Sequence, residues 1–465
     1  MKNLPFDDVK SDGCVTVEAA SDPGAPEGVP RGPSQRQVVT WIGKGGFAIL
    51  DQGFVSGSNF LVGIFLARWM PAGEYGAYAV GFAVYLLAVV LYQSLLLEPM
   101  LVFGPSKYAN CVRGYVRSLL SLHWMVAVGM SLPMMAWAVV AFLQNRTSPL
   151  AAALTGAAMA MPVVLLFWLA RRVFYIRNSP AISAAGAVLY SLVTLTSLSL
   201  AHKYGLISPL SGLLVMGVGG LVASIALLLY LKAYLPAGGG RLRLGDTWRQ
   251  HWGYGGWALA GAAMIWIPSN IFYPLVSSFC GEAQAGAFKA LMNFTLPLFQ
   301  VCAALSSLAL PYAARRHSWH GATKAGVLSR RIALLFTSGA VVYWLLVLFF
   351  HERAFRLLYS GRYTDMEQFL WVVAIGSIFW SAFLGPATTL RAMESPASVL
   401  VAATVAGVVT LAIGIPATKY AGIAGAAWSW TAAEVVAFAA AEFMVRGRVR
   451  KAVPVMQSAE VSVAS

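Results

Sequence analysis

Charge is what this chain has least of. Only 11% of its 465 residues are Asp, Glu, Lys or Arg, against 58% hydrophobic, and the mean hydropathy is +0.69. Soluble domains carry roughly 25% charged residues, so a water-soluble globule is excluded. Alternation is missing too. The apolar residues come in long runs rather than at every second position, which excludes an outer-membrane barrel. The four cysteines (Cys14, Cys111, Cys280, Cys302) lie far apart with no CxxC pair, which argues against a metal or disulfide framework. No GxxxxGK[ST] stretch occurs, so the chain shows no Walker-type nucleotide site, and no cofactor is implied.

What remains is apolar helix. A bilayer-crossing helix needs about 20 apolar residues, and twelve candidate spans fit: 46–67, 76–103, 119–143, 150–170, 182–201, 210–231, 253–279, 287–313, 332–350, 368–389, 398–415 and 423–444. The expectation is an all-α polytopic membrane protein. Prolines inside the spans (Pro162, Pro268, Pro274, Pro297, Pro386) are tolerated because neighbouring helices satisfy the freed backbone groups. Trp248, Trp252, Tyr254 and Trp257 cluster where headgroups would lie. Residues 1–40 hold six acids, several Pro and Gly and no apolar run. They read as a disordered cytoplasmic tail and not as a secretory signal.

The net charge of +15 is mostly topology. With both termini inside, 25 of the 33 Lys and Arg fall in inner segments and seven in outer loops; this bias is the positive-inside signal. The remaining cation, Lys289, falls within a span.

The chain also repeats. Ser58-Asn59 recurs as Ser269-Asn270, Gly76-Ala77-Tyr78 as Gly286-Ala287-Phe288, and Pro99 as Pro311, at offsets of 211, 210 and 212. The two halves would be parallel six-helix bundles, 41–235 and 236–445, around a central cleft, with a cytoplasmic tail over 446–465. That architecture suits alternating access about a midplane site.

The stretch from Ser58-Asn59-Phe60-Leu61 through Leu66-Ala67-Arg68-Trp69-Met70-Pro71 to Glu74-Tyr75-Gly76-Ala77-Tyr78 resembles the opening of Wzx-type polysaccharide flippases. These belong to the superfamily that also holds multidrug extruders and the lipid II flippase. Leu97-Glu98-Pro99 through Gly104-Pro105 resembles the end of their second helix, and Tyr420-Ala421-Gly422 through Ala427 the start of their last. The resemblance implies a transporter, not an enzyme. It would move undecaprenyl-pyrophosphate-linked oligosaccharide across a bacterial inner membrane for lipopolysaccharide or exopolysaccharide synthesis, with polysaccharide polymerase machinery as a partner and a proton or sodium ion as possible coupling ion. The alternative in the same superfamily is a multidrug/cation antiporter. A membrane enzyme would need a large outer loop, and the longest here, about 351–367, holds at most one short helix.

Charges inside spans usually face a cavity or a partner. Lys289 could meet a pyrophosphate headgroup or snorkel to the interface. Asn293 and Gln300 follow it at spacings of 4 and 11, roughly on one helical face; they could bind sugar hydroxyls or hold helices together. Asn59 and Asn270 carry the same two readings. Arg68 is either a phosphate contact or an interfacial anchor. Asp51, Glu98 and Glu434 are the ion-coupling candidates. For Asp51 the plain reading is a pair with Lys44, for Glu98 a hydrated helix end, and for Glu434 a hydrogen bond between helices.

Overall fold

The computed structural model describes residues 35–177, 179–234, 242–393 and 395–463; the acids of the amino-terminal segment lie outside these. The described chain is helical throughout, with no strand among its described residues. Lipid leaves no other way to satisfy a single crossing's backbone groups internally.

Six helices form the first lobe: α1 Gln35–Trp69, α2 Ala72–Phe103, α3 Ala109–Gln144, α4 Pro149–Ile176, α5 Pro180–Lys203 and α6 Pro209–Tyr234. Prolines open α4, α5 and α6, where a missing N–H costs nothing. Ser148 adds a cap, accepting from the Ala151 N–H at 3.3 Å.

The second lobe starts with two bent crossings. α7 is Leu244–Asn270 continued by Phe272–Cys280, with a 50° bend, and α8 is Glu282–Asn293 continued from Leu296, with a 46° bend. Pro268 precedes the first break and Pro297 follows the second, as expected where a proline interrupts the hydrogen-bond ladder.

Two longer helical stretches each hold more than one crossing. Leu296–Phe349 has 54 residues. Straight, it would set Phe294 and Tyr343 about 70 Å apart, yet the Tyr343 hydroxyl donates to the Phe294 carbonyl at 2.6 Å. The stretch therefore folds back, completing α8 and supplying α9, Gly326–Phe349. After the short helix His351–Tyr359 comes α10, Thr364–Ala392. The 54-residue stretch Ala397–Arg450 breaks at Gly422 (φ 59°, ψ −136°), a conformation that favours glycine. Val399 and Ala402 pack with Ala441 and Val445, so α11 (396–421) and α12 (423–450) form a hairpin. Counted this way the described residues make twelve crossings. The helix that continues α12 runs on to Val463, through residues read from sequence as a tail. Cys280 and Cys302 are free thiols.

With an even count both termini lie at one face, called here the terminal face; the opposite one is the distal face. At the distal face α2 and α8 cross without side chains between them. A Cβ on Gly76 would lie 2.9 Å from the Gly286 nitrogen and closer still to the Glu282 carbonyl. A Cβ on Gly286 would lie 2.9 Å from the Gly76 nitrogen and closer still to the Ala72 carbonyl. Ala72 and Glu282, like Gly76 and Gly286, are 210 residues apart, the spacing of the sequence repeat. The contact is therefore self-complementary, each lobe giving the same helical turn.

Gly76→Ala should loosen this crossing, because the obstacle is backbone. Overpacking of this kind costs about 1–3 kcal/mol. The expected result is a lower Tm of the purified protein, and faster labelling of a cysteine placed at Ala77. Gly63→Ala, with nothing within 4 Å of the added methyl, should change neither.

Candidate functional site

Just below the crossing, toward the terminal face, sits Lys289. Its helical turn is buried from Ala285 to Asn293, and the side chain is 6% exposed. The ammonium lies 5.3 Å from the ring centre of Phe82, on α2, and 5.0 Å from that of Tyr273, on α7. It thus stands between the lobes, held by two aromatic faces rather than by an anion. No carboxylate lies within 4 Å of it among the described residues. Cation–π contacts recover part of the desolvation cost, but a buried ammonium still lacks a counter-charge.

Asn293, one turn on, is a fastener. Its amide donates to the Tyr75 hydroxyl at 2.9 Å and to the Tyr359 hydroxyl at 3.4 Å, and Tyr359 donates to the Ala290 carbonyl at 2.9 Å. This network ties α8 to α2 and to the short distal helix. Gln300 does not share the face. The break at Phe294 and Thr295 ends the periodicity, and Gln300 is exposed beyond it.

The other candidates are scattered. The Asn59 amide oxygen accepts from the Tyr190 hydroxyl at 2.9 Å, within the first lobe. Asn270 is half-buried and, among the described residues, reaches the Trp266 carbonyl of its own helix, at 3.5 Å. Arg68 is exposed at the end of α1. Glu98 is also exposed, with Gln93 at 3.5 Å. Glu434 is buried on α12, 7% exposed, and no hydrogen bond or ion pair to its side chain is found among the described residues.

Asp51 is paired; the side chain of Lys44, its expected partner, lies outside those described. One carboxylate oxygen takes the Arg171 guanidinium at 3.2 Å and the other accepts from the Tyr175 hydroxyl at 2.6 Å. Arg171 is fully buried. It stacks near Phe167 and Trp168 (5.3 and 5.5 Å), while the Ser183 hydroxyl donates to its carbonyl. Sequence reading missed Arg171 because it ended the fourth span at residue 170, whereas α4 continues to Ile176. The signal available was the buried-face register: 167, 170, 171 and 174 fall on one side of the helix.

At the terminal face the lobes meet through the start of α7, ahead of its apolar portion, which begins at Ala258. The Tyr108 hydroxyl donates to Gln250 at 2.6 Å, Tyr115 and the His251 Nε2 lie 2.8 Å apart, and His251 Nδ1 lies 3.0 Å from the Leu95 carbonyl. The carbonyl can only accept, so Nδ1 carries the proton and Nε2 accepts from Tyr115. Deeper, the Trp266 indole donates to the Ala83 carbonyl at 2.9 Å.

No protein-family model matches the chain, and no curated protein matches it in sequence. Solved structures do match the fold. An inward-facing multidrug resistance MATE family transporter of the MOP superfamily is similar with a TM-score of 0.71 at 12% identity, over 86% of this chain and 95% of that one. The lipid II flippase MurJ, in an inward closed conformation, gives 0.65 at 13% identity over 88% and 87%. The MATE multidrug transporter DinF-BH gives 0.65 at 10% identity over 88% and 96%. The structural neighbours are thus MOP superfamily transporters, and at these identities the likeness is one of fold.

The Asp51–Arg171 pair and His251 each give a test. Removing one partner of a buried pair costs about 3–5 kcal/mol, while an apolar replacement of both is often neutral. Arg171→Met or Asp51→Asn alone should therefore lower Tm sharply, and Asp51→Leu with Arg171→Met should recover most of it. Burial, against the smaller pull of the Leu95 carbonyl, brings His251 from its ordinary value down to about 4. The unfolded chain, titrating near 6.5, then holds the extra proton between about pH 6.5 and 4. Stability is present above that window and falls as pH drops through it. A Tm profile from pH 7.5 to about 4.5 should show the loss, and His251→Gln should flatten it.

Proposed function

We propose that this chain is an alternating-access flippase for a lipid-linked oligosaccharide whose headgroup is anionic. The observation that carries the reading is Lys289, a buried cation between the two lobes with aromatic contacts and no carboxylate beside it among the described residues. A phosphate or pyrophosphate is the natural counter-charge, since an ammonium–phosphate hydrogen bond is charge-assisted and strengthens as water leaves. The distal crossing at Gly76 and Gly286 lies immediately beyond, so a headgroup bound there would stand at the closed end of the path. Its polyprenyl tail would stay in lipid beside the lobes. The charge bias of the loops supports a cytoplasmic terminal face; in this reading the movement is outward, across a bacterial inner membrane.

Asp51 takes no part in coupling in this reading, because its carboxylate is committed to Arg171 and Tyr175. Glu434, buried without an observed partner among the described residues, is the group that favours the second reading, a cation-exchanging extruder; a carboxylate so placed could take up a proton or sodium ion.

Lys289→Gln and Lys289→Arg separate the two. A lost charge-assisted hydrogen bond is worth about 1.5–3 kcal/mol, which is on the order of tenfold or more in rate. Deletion of the gene should strand lipid-linked repeat units in the cytoplasmic leaflet. Complementation with Lys289→Gln should leave most of them stranded, and Lys289→Arg should restore part of the crossing. Unchanged surface polysaccharide in the deletion strain, together with new sensitivity to cationic dyes, would establish the extruder instead.

A further inference from the structure

A chamber lined by both apolar and polar side chains lies on the other side of the crossing. It is a cavity of about 570 Å³ at the distal face, within the roughly 300–1,000 Å³ range of small-molecule sites. Trp69 and Pro71 wall it from the α1–α2 turn, Gln284 from the start of α8, and Arg362, Tyr363 and Asp365 from the loop before α10. Its floor is the crossing itself, since Ala72 and Ala287 line it next to the Gly76–Gly286 contact.

Two features argue that the chamber is built rather than left over. The loop that closes it takes left-handed backbone at Ser360 (φ 56°), Gly361 (φ 78°) and Tyr363 (φ 64°), a conformation that costs energy at each non-glycine position. That loop is strapped across the lobes, the Arg362 guanidinium donating to the Met70 carbonyl at 2.6 Å. The chamber wall thus joins α1 of one lobe to α10 of the other.

The lining selects a chemistry. Arg362 and Asp365 put opposite charges on one small cavity, so a lone anion meets Asp365 and a lone cation meets Arg362. The Gln284 amide both donates and accepts, and Asp365 accepts. A neutral ligand rich in hydroxyls satisfies all of these at once, because each hydroxyl donates one hydrogen bond and accepts others. We infer that this distal chamber is a saccharide subsite, which receives a pyranose of the oligosaccharide as it leaves through the α2–α8 crossing. The inference rests on the flippase reading for the origin of the sugar, but not for the binding itself.

The test uses the full chain in lipid nanodiscs and free maltose as the probe, read by saturation-transfer NMR. The wild-type protein should transfer saturation to the pyranose ring protons, and neither inorganic phosphate nor spermidine should compete. Gln284→Ala with Asp365→Asn should lower the transfer at least severalfold while leaving Tm unchanged, because neither side chain has a bonded partner among the described residues. Lys289→Gln, buried below the crossing, should leave the maltose signal intact. No transfer from wild-type protein, an undiminished signal in the double variant, or displacement by phosphate or spermidine would each overturn the subsite. The two readings fail separately. Absent maltose binding in a chain whose deletion still strands lipid-linked units overturns the subsite alone. Binding that behaves as expected in a chain whose deletion strands none supports the subsite and overturns the flippase.

Discussion

The contact on which the structure depends is the bare crossing of α2 and α8. Helices in lipid gain little from hiding apolar surface against one another, and they associate where small residues let backbones meet. Gly76 and Gly286 do this at one point, each facing the other's backbone nitrogen and the carbonyl one turn before it. Because the two turns are 210 residues apart in a repeated chain, the lobes meet about a local two-fold axis. The depth of Lys289 below the crossing, the seating of the Ala72 turn, and the floor of the distal chamber all follow from where this contact falls.

Away from that axis each lobe secures itself with internal polar bonds. In the first lobe Asp51, Arg171 and Tyr175 link α1 to α4, while Asn59 and Tyr190 link α1 to α5. In the second, Thr431 donates to the Val372 carbonyl and joins α12 to α10. Between the lobes most bonds collect at the ends, around Tyr75, Asn293 and Arg362 at the distal face and around Tyr115 and His251 at the terminal face, with the Trp266–Ala83 bond between them. Bonds inside a lobe persist when lobes rock against each other, and bonds at the ends are the ones that must break. Such a distribution suits rigid-body movement of one lobe against the other.

Much of this was legible as sequence, for reasons that can be named. Long apolar runs and Pro or Gly at their edges suffice to place helices, because lipid removes every alternative. The matching Gly-Ala-Tyr and Gly-Ala-Phe triplets marked the repeat, and they proved to hold the contact between lobes. What could not be read is whatever depends on distance across the fold. Asp51 and Arg171 are 120 residues apart, and no local pattern pairs them. Lys289, Asn293 and Gln300 looked like one face because a straight helix was assumed, but the bend before Pro297 turns Gln300 away. The distal chamber was invisible for the same reason. Its wall comes from three separate segments, and the loop 351–367 alone looks like a plain connection.

The positions of Lys289 and of the distal chamber bear on how the crossing works. Gly286 and Lys289 are one helical turn apart, about 4.5 Å along α8. At Gly76 and Gly286 the lobes meet through backbone, and the buried rings of Tyr75, Tyr78 and Phe288 pack around that contact. The glycine contact itself has almost no apolar area to expose on opening. What holds it shut must then come from its surroundings: the Asn293–Tyr75–Tyr359 network on one flank and the Arg362 strap to Met70 on the other. Each of these hydrogen bonds contributes on the order of 1 kcal/mol. Together with the rings packed around the two glycines, they fix how the lobes meet at the distal face.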